Sequence, residues 1–175
     1  CVLACLWPGA TRAGLSSRPW NVLFANLGDS RGLLVRPSAP GQRPEVCAHT
    51  VDHKPEEPRE RHRIEAAGGF VCQAVIDGAP RGPQRINGDL SLSRAFGDYR
   101  HKNGRGQGLQ RQPILLPPEW QRASSCPTVT EVAARVGDLV ILVCDGVTDV
   151  LPNAAIAGIA STELRRVKAH SAGVG

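Results

Sequence analysis

The run Leu139-Val140-Ile141-Leu142-Val143-Cys144 is apolar throughout, stops at Asp145-Gly146, and is followed by a second acid at Asp149. A short β-branched run bounded in this way predicts a buried strand. Its end places Asp145 at the rim of the core, where a carboxylate is costly unless it is paired, hydrogen-bonded or bound to a cation. Val22-Leu23-Phe24-Ala25 repeats the arrangement, leading from a buried strand into a turn that ends at Asp29. Two strand-end carboxylates of this kind could converge. With no His/Cys cluster beside them, oxygen ligands favour a hard ion, Mg²⁺ or Mn²⁺, over zinc. The plainer alternative is that each Asp caps its own turn through backbone hydrogen bonds. The residue pattern alone leaves both open.

The rest of the chain reads as sheet-rich. Further strands are predicted at Val2–Trp7, Asn21–Asn26, Arg31–Arg36, Glu45–Thr50, Phe70–Ile76 and Thr128–Arg135, with the run above extending over Asp138–Cys144. Asn26-Leu27-Gly28-Asp29-Ser30 looks like a tight turn joining two strands that pair antiparallel, and Asn87-Gly88 is a second turn signal. Glu56-Glu57-Pro58 opens a helix that Gly68-Gly69 stops, with Ile64 and Ala67 toward a core and the remaining surface charged. Another helix is expected after Leu151-Pro152, with Asn153 as N-cap and Ile156, Ile159, Ala160 and Leu164 at helical spacing. Tyr99 to Ser125, with no clear period, is expected to be a mobile surface loop.

Composition narrows the function classes. An apolar share of 41% over 175 residues is enough for one compact domain. With 19 Gly and 14 Pro, short elements and many turns are favoured over long helices. The net charge of +5 suits a phosphate-bearing partner, but three Phe, three Trp and one Tyr make a poor platform for stacked bases. The basic segment Arg100-His101-Lys102-Asn103-Gly104-Arg105 is the residual argument for nucleic acid. Cys1, Cys5, Cys47, Cys72, Cys126 and Cys144 form no CxxC pair, so neither a zinc site nor a redox motif is indicated, and a reducing intracellular setting (cytoplasm or nucleus) is expected. Cys1 to Leu6 is too short to span a bilayer. The chain lacks methionine and is read as a fragment.

Five segments, in order, carry a resemblance. They are Ala25-Asn26-Leu27-Gly28-Asp29-Ser30-Arg31, Asp52-His53-Lys54-Pro55, Arg63-Ile64-Glu65-Ala66-Ala67-Gly68-Gly69, Arg85-Ile86-Asn87-Gly88-Asp89-Leu90-Ser91-Leu92-Ser93-Arg94-Ala95-Phe96-Gly97-Asp98, and Cys144-Asp145-Gly146-Val147-Thr148-Asp149-Val150-Leu151. Together they resemble motifs of the PP2C (PPM) family of metal-dependent protein serine/threonine phosphatases, over its C-terminal catalytic part. The resemblance implies an α+β fold, a two-sheet antiparallel β-sandwich flanked by helices, here incomplete, and a hydrolase that uses water activated by two Mg²⁺ or Mn²⁺ ions, with a third ion in some cases. It implies metal roles for Asp145 in the paired centre, Asp29 at the third ion and Asp149 beside them, and motif-shaping roles for Arg94 and Asp98. A phosphoprotein is the implied substrate; nucleic-acid and membrane partners are not expected, and the chain is taken as a monomer. No cysteine nucleophile is needed, and Cys144 is expected to lie within an apolar strand where a thiolate is disfavoured.

The pattern also departs from the family. The early Arg and Glu-Asp segment, the Asp-Gly-His-Gly-Gly motif and the late Asp-Asn motif are absent, so residues 1–175 are read as one partial domain unable to complete a paired metal centre. The chain itself is therefore expected to be inactive, and a non-catalytic phosphatase-like binding module is the alternative. Gly78 to Gln84 reads as an inserted loop, and His53 as part of a turn into the first helix.

Overall fold

The computed structural model describes residues 1–8, 20–102 and 116–172. Described strands are β1 (Val2–Pro8), β2 (Trp20–Asn26), β3 (Arg31–Arg36), β4 (Glu45–His49), β5 (Val71–Ile76), β6 (Ala79–Ile86), β7 (Thr128–Ala134) and β8 (Leu139–Val143). Helices are α1 (Pro58–Ala66), α2 (Asp145–Thr148) and α3 (Asn153–Ala172), with single 3-10 turns at Tyr99–His101 and Pro118–Trp120. Contacts divide the chain into two compact units. The first holds Cys1, Asn26–Asp29 and the described parts of residues 51–128; the second holds the described parts of 2–25, then 30–50 and the chain from 129 onward.

The second unit is a sandwich. One sheet has the order β1-β2-β7 and the other β4-β3-β8, with β3 antiparallel to both its neighbours. Val22 and Phe24 from β2, Leu34 from β3 and Ala134 from β7 meet between the sheets, with Val2, Ala4, Ala48, Val132 and Val140 packed around them. On the other face of the second sheet, Leu33 and Val35 pack with Ile156 and Ala157 of α3. Leu33, Leu34 and Val35 are consequently all fully buried, because β3 is covered on both faces. The run in β8 was the sequence's candidate for that position. It lies instead at the sheet edge, half-buried, with Leu142 exposed.

The link from β2 to β3 differs from the hairpin expected of it. The two strands belong to different sheets, so the turn is an arch that carries the chain from one layer to the other. Sandwich packing drives this, since Phe24 and Leu34 gain burial by facing each other across the layers. The facing also explains Gly32, where an added Cβ would stand 2.6 Å from Phe24 Cδ1. In α3 the first carbonyl to accept helical bonds is that of Pro152, from Ala155 N (2.9 Å) and Ile156 N (3.2 Å). Asn153, the expected cap, lies one residue inside and accepts from Arg31 Nη1 at 2.7 Å.

The first unit gathers α1, the β5–β6 ribbon and the segments after it around Ile64, Ile86 and Ala123. β6 occupies residues that were expected to form an inserted loop. Asp77-Gly78, both at positive φ, makes a two-residue turn that pairs Ile76 with Ala79. Asn87 and Gly88 are likewise at positive φ, and Ile86 bridges Leu90. Residues 103–115 of the expected mobile loop lie outside the described residues. The described ends of that segment are anchored: His101, Lys102, Gln121, Ala123 and Ser124 are buried, and Ser124 bridges Arg94.

Candidate metal centre

Asp145 follows β8 by two residues and opens the single turn α2, whose Val147, together with the following Leu151, packs on the core beneath α3. Its carboxylate Oδ1 accepts from the adjacent Gly146 N at 2.9 Å, and the Asp145 carbonyl accepts from Asp149 N at 2.8 Å. Asp149 ends the turn in helical geometry. One helical turn apart, the two acids share a side of the chain. Both are exposed, and the Asp149 carboxylate has no hydrogen bond or ion pair among the described residues. Cys144, expected inside the strand, stands one residue past it and is exposed, because β8 ends at Val143.

Asp29 belongs to the first unit, where the arch is clamped by its neighbours. Asn26 Nδ2 donates to the carbonyls of Gly28 (3.2 Å) and Val51 (3.1 Å). His53 holds Gly28 twice, donating its backbone N–H to the Gly28 carbonyl at 2.9 Å and accepting the Gly28 N–H on Nδ1 at 3.1 Å. That leaves His53 Nε2 to donate to Thr128 Oγ1, 2.8 Å away. Burial, aided by the positive charge of Arg94, lowers the His53 pKa to about 4, so the ring is neutral near neutrality. The Asp29 carboxylate itself forms an ion pair with Lys54 and is nearly buried. A cation approaching Asp29 therefore has to displace Lys54.

A third feature escaped the sequence. Glu60, on the α1 surface expected to be charged and solvated, is 3% exposed. Arg94 Nε reaches both its oxygens at 3.1 Å, and Arg63 Nη2 donates to Oε2 at 2.7 Å. The same guanidiniums donate to the carbonyls of Cys126 (3.0 Å) and Ser93 (2.7 Å), so one buried carboxylate fastens α1 to the segments at Ser93 and Cys126. Burial alone would raise the Glu60 pKa; the Arg94 and Arg63 bonds outweigh it and hold the pKa at about 2. Arg94 thus links Glu60 to the Cys126 carbonyl, and Asp98 sits at φ 48° ahead of the Tyr99–His101 turn. The basic segment proposed for nucleic acid is partly committed elsewhere. Lys102 Nζ is buried on the carbonyls of Ala95 (2.8 Å) and Ala123 (2.9 Å), and Arg100 pairs with Asp89 at 2.8 Å.

In chemistry these acids suit a hard cation, and in number they fall short. An ion such as Mg²⁺ takes about six oxygens, and among the described residues of either unit no three His, Cys, Asp or Glu side chains gather to hold a metal. Asp145 and Asp149 are accessible oxygen donors, and Asp29 is matched to Lys54. The described residues by themselves do not build an ion's coordination shell.

A two-layer sandwich with a helix over one sheet agrees with the comparisons. The family model for "Protein phosphatase 2C" matches residues 4–172. The chain belongs to that family. It is 40% identical over 146 residues to protein phosphatase 1B of Bos taurus, covering 83% of this chain and 25% of that protein. To the probable protein phosphatase 1N of Mus musculus it is 37% identical over 169 residues, covering 93% of this chain and 36% of the relative. The crystal structure of a phosphatase from Toxoplasma gondii aligns with a TM-score of 0.64 at 34% identity, covering 86% of this chain and 39% of that one. The chain therefore spans between a quarter and about a third of the length of these curated relatives, and the sandwich is that of the family.

Proposed function

We propose that the protein to which these residues belong is a protein serine/threonine phosphatase that hydrolyses phosphoserine and phosphothreonine with Mg²⁺ or Mn²⁺. The observation that carries this reading is Asp145, an exposed strand-end carboxylate set on a turn whose apolar side is fixed to the core. When bound, a divalent pair supplies activation of water and neutralisation of charge on the phosphoryl oxygens. Asp145 would be one ligand and Asp149 a neighbouring one; Asp29 would serve a further ion in exchange for Lys54. The small number of donors gathered among the described residues supports reading residues 1–175 as a partial domain of the family, with the remaining ligands supplied from elsewhere in the protein.

The test is release of phosphate from a phosphothreonine peptide by the complete protein, with and without Mn²⁺. Metal-dependent release is expected; a complete protein with no activity at any Mn²⁺ concentration would overturn the reading. For residues 1–175 alone, the same donor count favours a non-catalytic role. Calorimetric titration showing tight binding of two Mn²⁺ ions by this chain would count against that.

A further inference from the structure

The end of the sandwich opposite Asp145 carries a cavity of about 260 Å³. Asp138 immediately precedes β8 and Asp145 lies just past it, so the strand, roughly 16 Å long at about 3.3 Å per residue, separates the two places. Three elements build the cavity: the end of β3 with Arg36, the β7–β8 turn with Arg135 and Asp138, and α3 with Leu164, Arg165 and Lys168.

Four cationic side chains line this space with a single acid, and that acid is already engaged. The Asp138 side chain is 3% exposed, takes Arg36 Nε and Nη2 at 3.1 Å each, and accepts the Arg135 N–H at 2.9 Å. Glu45 adds a second carboxylate to Arg36 at 3.0 Å. Arg36 and Asp138 thus neutralise each other as a forked pair and make the wall. Arg165 donates to the Ser38 carbonyl (3.2 Å) and Thr162 Oγ1 (3.3 Å), which orients its guanidinium without neutralising it. The side chains of Arg135 and Lys168 have no ion pair or hydrogen bond among the described residues.

Like charges held around one small space repel each other, and an anion relieves that repulsion. The dipole of α3 accounts for cations in its C-terminal half, but not for Arg135 on a turn between strands. A guanidinium presents paired N–H groups that match the oxygens of phosphate, and the volume suits a small oxyanion rather than a larger ligand.

We propose that this cavity binds a phosphate dianion through Arg135, Arg165 and Lys168, separately from the Asp145 end of the sandwich. The dianion has two sources of identical chemistry, free inorganic phosphate or a phosphoseryl side chain. The site requires no divalent ion, so it stands or falls independently of the hydrolytic reading.

The test is a titration of the full chain, in chelator, with inorganic phosphate and with O-phosphoserine, followed through the backbone amides of Val136 and Gly137. Sodium chloride at matched ionic strength is the control. Saturable shifts with phosphate that chloride does not reproduce are expected, and the Arg135→Glu/Lys168→Glu variant should bind at least about tenfold more weakly. Both side chains are exposed and have no partner among the described residues, and an unchanged far-ultraviolet spectrum would confirm that the variant is folded. Tighter binding of O-phosphoserine than of phosphate would assign a protein-borne source; tighter binding of phosphate, or a response to phosphate alone, would assign the free ion. Identical shifts with chloride, or undiminished binding by the double variant, would overturn the proposal.

Discussion

Phe24 fills the space that any side chain at position 32 would need, its Cδ1 and Cε1 lying 2.6 and 2.8 Å from where a Cβ would stand. Gly32→Ala should therefore destabilise the second unit by about 1–3 kcal/mol through overpacking of the sandwich. Denaturant unfolding would measure it. Adding Phe24→Leu should return part of the loss, since the two positions compete for one volume; strictly additive effects would show that they do not.

Glu60 is a buried anion between Arg63 and Arg94, and its loss leaves two guanidiniums without it. Glu60→Gln should cost about 3–5 kcal/mol. The carboxyl pKa falls from 4.5 to about 2 on folding, so its contribution is fully present above pH 4.5 and disappears as pH falls toward 2. That is about 3 kcal/mol of acid-sensitive stability. Unfolding midpoints measured across this window should slope for the wild type and be flatter for Glu60→Gln.

His53 covers the adjoining pH range. Its pKa drops from 6.5 to about 4, meaning that the unfolded chain takes up a proton that the fold refuses. Stability is complete above pH 6.5 and declines as pH falls to about 4. His53→Asn keeps an acceptor for the Gly28 N–H and cannot titrate. It should lower stability at pH 7 through loss of the Thr128 bond, yet remove the slope between pH 6.5 and 4. A variant as pH-sensitive as the wild type would exclude His53 as the cause.

Asp145→Asn alters an exposed residue, and stability should change by no more than about 0.5 kcal/mol. In the complete protein the same change should abolish Mn²⁺-dependent phosphate release. Asp29→Asn should differ, because it also deprives Lys54 of its ion pair. Comparing the two by thermal unfolding and peptide hydrolysis separates a metal ligand from a structural one.

The strands of the second unit were legible because each is a short apolar run between turn residues, and β3 was read to its exact ends. Which strands pair was not legible. The arch at Asn26–Ser30 and a hairpin turn have the same Gly/Asp chemistry, and only the packing of Phe24 on Leu34 and Gly32 distinguishes them. β6 was missed because Pro80, Gly82 and Pro83 look like a loop, although Asp77-Gly78 announced the hairpin; a two-stranded ribbon tolerates such residues on its open sides. The Asp145 turn was visible from its motif. Glu60, His53 and Lys102 were not, since a charged or polar residue gives no local sign that distant partners will bury it.

Leu33, Leu34 and Val35 are interchangeable in hydrophobicity, and both walls that receive them are apolar. A slip of β3 by one step would thus exchange grease for grease at these three positions, and greasiness alone cannot forbid it. The alignment is fixed by the room that Phe24 leaves only for Gly32 and by the strand's extremities: Arg31 on Asn153, the Gly32 amide on Thr50 Oγ1 at 3.0 Å, and Arg36 on Asp138. The central strand is therefore indexed like a ruler pinned at each end, and errors of assembly should arise from damage to those pins sooner than from trimming the leucines between them.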